Sequence, residues 1–272
     1  MKKVFNLTNK YIVLATPLIL FTLISSIYTA FSLRVGSAIN LLISLVILIL
    51  ISTAFIAGWF NMVKLAATDA EPDNPSSIMK EFISGVGEYF ASSIGVIFVI
   101  FLVNIIMLSV SFVCGLHFIG DPGISADALS KAMSNTTALK AFLAGLSQEQ
   151  LLKINLWNIL LLGIMSITYF FLILYLPAVF FKSKNPFKAF FINLKNIFSK
   201  NFAACVGIYL LILIVNFFIS IFAAICAGNM ITNFIMTLIN FYFICAASLG
   251  IFYFYNERYV KPQIGENIDV HI

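Results

Sequence analysis

The sequence predicts an all-α, polytopic membrane protein with six transmembrane helices, and two observations predict this class. First, 61% of the 272 residues are hydrophobic and 10% are charged, whereas a soluble domain is about half apolar and about a quarter charged. Second, the apolar residues gather in runs that exceed the roughly 20 residues needed to cross a bilayer. The six runs are residues 11–33, 38–62, 92–116, 156–181, 203–227 and 232–255. They are too long and too continuously apolar for the strands of a membrane barrel, which alternate over about ten residues.

The first run follows Met1-Lys2-Lys3 and so has the charged start of a secretory signal peptide. The run is longer than the apolar core of such a signal, and no small-x-small cleavage site precedes Arg34. We therefore expect this segment to be retained as the first membrane span.

One helical hairpin occurs more than once in the sequence. Residues 88–116 and 200–228 match after a shift of 112 positions. The matches include residue types other than the common apolar residues of membrane spans. These pairs are Gly95 with Gly207, Asn104 with Asn216, and Cys114 with Cys226. At an offset of 78, the first run places Pro17 over Gly95. We predict three repeated hairpins, about 11–62, 92–181 and 203–255, in a single membrane domain that spans 1–272.

The two links between the predicted hairpins, residues 74–90 and 185–201, are amphipathic. Each begins with Asn-Pro (Asn74-Pro75 and Asn185-Pro186), where Asn is suited to cap a helix and Pro to its first turn. In the second link, six apolar residues fall within an arc of roughly 120° on a helical projection. They are Phe187, Phe190, Phe191, Leu194, Ile197 and Phe198. Helices with this pattern lie in the plane of the membrane interface, and we expect both links to do so.

The second link is also basic and contains no acidic residue. Five lysines lie in this link or just before it: Lys182, Lys184, Lys188, Lys195 and Lys200. Near an anionic membrane surface each lysine contributes about 1 kcal/mol to binding, so we predict that these residues contact anionic lipid. Orientation of the chain by positive charge alone explains the same lysines, and this alternative stays open.

Residues 117–154 form a sizeable outer loop within the middle hairpin. Asp121-Pro122-Gly123 predicts a turn, and residues 125–133 and 137–146 predict short helices. Ser147-x-x-Gln150 has the spacing of a capping box, which predicts the start of a further helix. The loop lacks paired carboxylates, cysteines and a Ser/His set, so it does not indicate a catalytic site.

The distribution of lysine and arginine predicts the orientation in the membrane. The side that holds the N-terminus carries Lys2, Lys3, Lys10, Lys64, Lys80, Lys182, Lys184, Lys188, Lys195, Lys200, Arg258 and Lys261. The other side carries Arg34, Lys131, Lys140 and Lys153. Because positive residues concentrate on the cytoplasmic side, both termini are predicted to be cytoplasmic. The net charge of +5 is thus an orientation signal, and we expect no nucleic-acid partner.

The predicted spans contain no Asp, Glu, Lys, Arg or His, the residue types that mark proton relays and ion pathways. The cysteines have no C-x-x-C spacing, His117 and His271 have no evident partner, and nucleotide-binding glycine motifs are absent. We therefore predict no catalytic residues, no metal site, no cofactor and no enzymatic activity. Six aromatic residues near span ends are predicted to form an interfacial belt: Trp59, Trp157, Tyr175, Tyr253, Tyr255 and Tyr259.

The repeated pair Asn104 and Asn216 is the sharpest polar feature at membrane depth. One interpretation is a polar cluster near the bundle axis that contacts a lipid headgroup or a small solute. The other is hydrogen bonding between helices that holds the hairpins together, which contributes below about 2 kcal/mol for each bond.

Residues 176–211 carry a family resemblance and read LPAVFFKSKNPFKAFFINLKNIFSKNFAACVGIYLL. The segment contains, in order, the end of a membrane span, an amphipathic helix that begins with Asn-Pro, and a Lys-Asn-Phe sequence that leads into the next span. This order resembles a broad bacterial group that includes the six-helix membrane domain of some glycerophosphodiester phosphodiesterases and related free-standing membrane proteins. The resemblance implies such a membrane domain over most of the chain. The phosphodiesterase barrel and its acidic metal ligands are absent from this sequence, so that activity is not implied.

Together these observations predict a multi-pass protein of the bacterial cytoplasmic membrane whose partners are membrane lipids. The predicted function is that of a non-enzymatic scaffold or lipid-interacting module. The alternative is a small transporter or permease for an uncharged or amphiphilic solute. A water-accessible cavity lined by Asn104 and Asn216 would favour transport, whereas an axis filled by apolar side chains would favour the scaffold.

Overall fold

The computed structural model describes residues 2–32, 38–69, 75–132, 135–226 and 228–262, which are mostly helical and contain no strand. The α-helices are α1 (Lys2–Lys10), α2 (Ala15–Ser32), α3 (Ala38–Thr68), α4 (Lys80–Phe118), α5 (Ala126–Ala132), α6 (Thr136–Ala144), α7 (Gln148–Leu172), α8 (Tyr175–Phe181), α9 (Pro186–Ile197), α10 (Phe202–Cys226) and α11 (Met230–Tyr255). Short 3₁₀ turns cover Ile12–Leu14 and Pro75–Met79, and a π-helical turn covers Asn256–Val260.

Six helical segments of the described chain are long and apolar enough to cross a membrane. They are Ile12–Ser32, Ile39–Thr68, Ser76–Phe118, Gln148–Phe181, Phe202–Cys226 and Met230–Val260. The all-α class and the six predicted spans are thereby confirmed, and the chain is a multi-pass membrane protein. Several segments extend well beyond the predicted bounds, because helical hydrogen bonding continues past the purely apolar residues.

The chain divides into two compact units, which are described separately. The first unit comprises Met1–Val99 and Phe171–Ile272, and the second comprises Ile100–Phe170. This division into units does not test the predicted single membrane domain spanning 1–272, which remains a prediction.

The core of the first unit is built around large aromatic side chains. Its largest fully buried residues include Trp59, Tyr11, Tyr175, Tyr255 and Phe252. Trp59 donates a hydrogen bond of 2.8 Å from its indole nitrogen to the carbonyl of Leu14, in the 3₁₀ turn before α2. This bond ties α3 to the turn that precedes α2.

The N-terminal segment is tied to the end of α3 through Asp69. The Asp69 carboxylate accepts a 2.6 Å bond from the Lys10 ammonium and a 2.9 Å bond from the Tyr11 hydroxyl. The hydrogen bond from Lys10 lowers the pKa of Asp69, and the same bond raises the pKa of Lys10. Asp69 has φ of 54°, a left-handed conformation in which helices commonly end.

The second unit contains the short helices of the predicted outer loop and confirms its local signals. The Ser147 hydroxyl accepts a 3.2 Å bond from the Gln150 amide, and the Gln150 side chain accepts a 3.0 Å bond from the Ser147 amide. This reciprocal pair is the predicted capping box. Trp157 lies over Gly115, where any Cβ would overlap its ring, and its indole nitrogen donates a 3.0 Å bond to Gly120.

The two predicted links differ from one another in the structure. Asn74 lies outside the described residues, and from Lys80 onward the first link is part of α4, a single helix of 39 residues that ends at Phe118. The expected boundary between an interfacial helix and a span is therefore absent there. The second link, by contrast, contains the separate helix α9.

The repeated hairpins remain a prediction, and the paired glycines have different surroundings. A Cβ at Gly95 would collide with the ring of Pro186, whereas a Cβ at Gly207 would meet no described atom within 4 Å. The two glycines thus occupy equivalent places in the sequence alignment without making equivalent contacts.

Candidate functional site

Helix α9 starts as the sequence predicts. The Asn185 side chain accepts a 3.1 Å hydrogen bond from the Lys188 amide, and Pro186 occupies the first turn. The cap satisfies an amide that has no partner within the helix, and Pro costs nothing where its missing donor is not needed. The Asn-Pro pair therefore defines the start of α9.

One face of α9 packs against the protein and another faces outward. Ala189, Asn193 and Ile197 follow at intervals of four residues and are fully buried. Phe187, Phe191 and Phe198 are 50%, 67% and 64% exposed, respectively. Ile197 lies at the edge of the predicted apolar arc and is buried against the protein, so it does not share the outward exposure of these phenylalanines.

Lysines lie beside the outward phenylalanines. Lys188 and Lys195 are seven residues apart, so they share one side of α9, and both are exposed, as is Lys200 just beyond the helix. We call the outward residues Phe187, Phe191, Phe198, Lys188, Lys195 and Lys200 the α9 surface. An apolar stripe next to a cationic stripe is the pattern of a helix that rests at a membrane interface.

The other two predicted lipid contacts have intramolecular surroundings. Lys184 is exposed and forms an ion pair of 2.9 Å with Glu88. Lys182 is half-buried, and burial lowers its pKa. Neither residue belongs to the outward stripe of α9.

Asn193 fixes α9 to a break in the fourth membrane segment. Its side-chain amide donates a 2.6 Å bond to the carbonyl of Phe171, and its side-chain oxygen accepts a 3.2 Å bond from the amide of Leu174. These two backbone groups flank the break between α7 and α8. Pro177 explains the break, since it cannot donate to the preceding turn and its ring clashes there.

The C-terminal end of α9 is held by α11 and the π-helical turn. The Asn196 side chain donates a 3.0 Å bond to the Tyr255 hydroxyl, and the Tyr259 hydroxyl donates a 2.9 Å bond to the Asn196 carbonyl. With Asn193, these bonds fix the rotation of α9 about its axis. The phenylalanines and lysines are thereby held outward.

The sequence analysis missed Asn193 as a structural residue. The available signals were the amide side chains of Asn193 and Asn196 in an otherwise apolar and basic helix, and Pro177 within an apolar run. Neither signal identifies the partner, because the hydrogen bonds join segments about twenty residues apart.

The predicted apolar runs carry no charge, but the observed membrane segments extend past them and include eight charged residues near their ends: Lys64, Lys80, Glu81, Glu88, Glu149, Lys153, Glu257 and Arg258. Lys64 belongs to the segment Ile39–Thr68 and Glu88 to Ser76–Phe118. Both lie near segment ends that extend past the predicted apolar runs. The half-buried Lys64 ammonium donates a 3.0 Å bond to the hydroxyl of Tyr89, which is buried.

The predicted polar pair is divided between the units. Asn104, in the second unit, donates a 2.8 Å bond to the carbonyl of Ile100 in its own helix. Asn216, in the first unit, is exposed on α10. A shared cluster of Asn104 and Asn216 stays a prediction.

The predicted aromatic belt is wrong for four of its six members. Trp59, Tyr175, Tyr255 and Tyr259 are buried within the first unit. Their hydroxyl and indole groups near the span ends suit an interface, but their rings complete the protein core instead. Trp157 and Tyr253 are half-buried.

Within the described residues, no three His, Cys, Asp or Glu side chains gather as metal ligands, and the four cysteines are free thiols. No known family model, curated protein or solved structure matches the chain. The resemblance to the phosphodiesterase-associated membrane domain therefore stays a prediction.

Proposed function

We propose that the chain is a non-enzymatic, lipid-interacting membrane module whose α9 surface binds anionic phospholipid. The observation that carries this proposal is the outward exposure of Phe187, Phe191 and Phe198 beside Lys188 and Lys195. Phenylalanines left exposed by the protein gain apolar contact in the acyl boundary, and lysines gain charge pairing with headgroups. In this proposal α9 lies at the cytoplasmic face of a bacterial inner membrane.

The charge of the α9 surface sets the expected lipid preference. Three exposed lysines at about 1 kcal/mol each give about 3 kcal/mol, or roughly a hundredfold preference for anionic over zwitterionic lipid. Salt weakens this preference, because exposed charges are screened over about 8 Å at physiological ionic strength.

A local lipid probe tests the proposal in the whole chain. Phe191→Trp places a fluorophore on the α9 surface, and brominated lipids quench it only when they are adjacent. We expect brominated phosphatidylglycerol to quench this residue far better than brominated phosphatidylcholine. Lys188→Gln, Lys195→Gln and Lys200→Gln together should lower the relative association constant by about a hundredfold. The two native tryptophans are measured in parallel in the unsubstituted chain.

A matched variant controls for net charge. Lys131→Gln, Lys140→Gln and Lys153→Gln remove the same charge from the predicted outer loop and should leave the preference unchanged. Equal quenching by both lipids in the Phe191→Trp chain would contradict the proposal and leave orientation as the role of the lysines.

The alternative of a permease for an uncharged solute is supported by a groove between α2 and α3. Four hydroxyl side chains line it: Ser25, Ser26, Thr29 and Ser52. The Ser25 hydroxyl is shielded from solvent and has no hydrogen-bond partner among the described residues. A polar solute would supply that partner, so the groove supports the permease as a second candidate function.

A further inference from the structure

A second basic group lies close to the start of α9, around the ring of Tyr89. The Lys184 ammonium is 5.2 Å from the centre of this ring, and the Lys64 ammonium is 5.4 Å from it. Tyr89 is buried and stacks on Phe180, with ring centres 4.4 Å apart. One aromatic side chain thus holds two ammonium groups near each other.

The charges of this group do not balance. Lys184 pairs with Glu88 at 2.9 Å. Among the described residues, no carboxylate lies within ion-pair distance of Lys64, whose ammonium is bonded to the Tyr89 hydroxyl. Two cations therefore share one anion, and one of the cations, Lys64, is half-buried. Because a partly buried charge is costly without a counter-charge, the arrangement favours a bound anion.

Phosphate fits the donors that the group presents. Two ammonium groups offer several N–H donors, and lysine binds phosphate as a point charge. The Tyr89 hydroxyl accepts the bond from Lys64, lies beside the Glu88 carboxylate, and donates a long bond of 3.4 Å to the carbonyl of Phe180. Its hydrogen is therefore held weakly by Phe180. Carboxylate and phosphate both suit ammonium groups, but phosphate has enough oxygens to engage all three donors together.

We propose that Lys64, Lys184 and the Tyr89 hydroxyl form a binding site for one phosphate group, that of a lipid headgroup. The site adds a specific ligand to the proposed function. It rests on that function only because α9 must lie at the level of the lipid headgroups. It differs from the α9 surface in kind, since it selects one phosphate at a fixed position rather than a negatively charged surface.

Titration of the whole chain in a neutral detergent tests the site. Two probes distinguish the sources of phosphate, dihexanoyl phosphatidate for a lipid headgroup and inorganic phosphate for the free anion. Binding is followed by calorimetry at constant ionic strength. We expect saturable binding of one phosphatidate per chain and at least tenfold weaker binding of inorganic phosphate. Equal affinity for both probes would overturn the lipid source.

Lys64→Gln should weaken phosphatidate binding by at least about tenfold, because one charge-assisted contact is lost. Lys140→Gln, the same change at an exposed position of α6, should bind as the native chain does. Lys64→Arg should retain binding, and Tyr89→Phe should weaken it without removing a charge. These two variants keep the test decisive if Lys64→Gln fails to fold.

Absence of saturable binding, or equal loss in Lys64→Gln and Lys140→Gln, would overturn the site. The result is separable from that of the proposed function. A chain that loses phosphatidate binding in Lys64→Gln, yet shows no lipid preference at Phe191→Trp, would keep the site and reject the α9 surface.

Discussion

Asp69 shows how one carboxylate joins two distant parts of the first unit. It ends α3 in a left-handed conformation and accepts hydrogen bonds from Lys10 and Tyr11. Asp tolerates this conformation better than most residues because its short side chain forms local polar contacts. The bonds therefore hold the N-terminal helix in place at little conformational cost.

The shifted pKa of Asp69 predicts a pH dependence. Its pKa is lowered in the folded chain, so its contribution to stability is complete above its ordinary value of 3.8 and is lost as pH falls through the lowered value. The pKa of Lys10 is raised, so its contribution is complete below 10.5 and is lost at higher pH. The pair thus stabilises the fold between these limits.

Unfolding of the purified chain in detergent, measured from about pH 6 to about pH 3, checks this expectation against Asp69→Asn. The amide keeps the shape and the left-handed conformation but cannot ionise. The native chain should lose stability relative to Asp69→Asn as pH falls. Parallel curves for the two chains would show that the ion pair contributes nothing.

At the scale of elements, the break between α7 and α8 depends on a side chain from α9. Asn193 is fully buried and pairs with the Phe171 carbonyl and the Leu174 amide. A buried backbone group left without a partner costs about 1–3 kcal/mol. The break is thus stable only while α9 is docked.

Asn193→Leu should therefore destabilise the chain by about 2–5 kcal/mol, since it leaves two backbone groups unpaired. Asn216→Leu makes the same chemical change at an exposed position of α10 and should alter stability by less than about 0.5 kcal/mol. Thermal unfolding of both variants in one detergent makes the comparison. Similar losses in the two variants would remove the special role of Asn193.

The same elements show which features of the fold can be predicted from the sequence. The caps at Asn185 and Ser147 were predicted because each needs only partners within three residues. Asn193 and Lys64 were missed because their partners come from other helices. The two links share an Asn-Pro start, yet α4 continues where α9 stops. After α9, the Ser199 hydroxyl donates to the Asn196 carbonyl and accepts from the Asn201 amide, and these local bonds compete with the helix.

At the scale of the whole molecule, the six spans could be predicted because the length of each apolar run is a property of local sequence. The division into two units and the buried positions of Trp59 and Tyr255 depend on tertiary packing, which hydropathy does not contain. Many large apolar side chains of α2, α3, α10 and α11 remain exposed, as expected for helices whose surroundings are lipid.

The lysine asymmetry predicts that α9 and the loop 117–154 face opposite sides of the membrane. Single cysteines at exposed Ser130 and Lys188, in a chain with the native four changed to Ala, report this with an impermeant maleimide in intact cells. Ser130→Cys should be labelled and Lys188→Cys protected until the membrane is opened. The reverse pattern would invert the predicted orientation.

The bonds of Asn193 also bear on the order of events during synthesis. The Phe171 carbonyl leaves the ribosome before its partner, which lies 22 residues further along the chain. At about 5–20 residues per second, this delay is roughly one to four seconds. During that interval the break in the fourth segment lacks the side-chain partner that Asn193 provides. The hydrogen bonding of the fourth segment is therefore completed by a residue of a later helix, and a pause in translation between Phe171 and Asn193 would lengthen this interval.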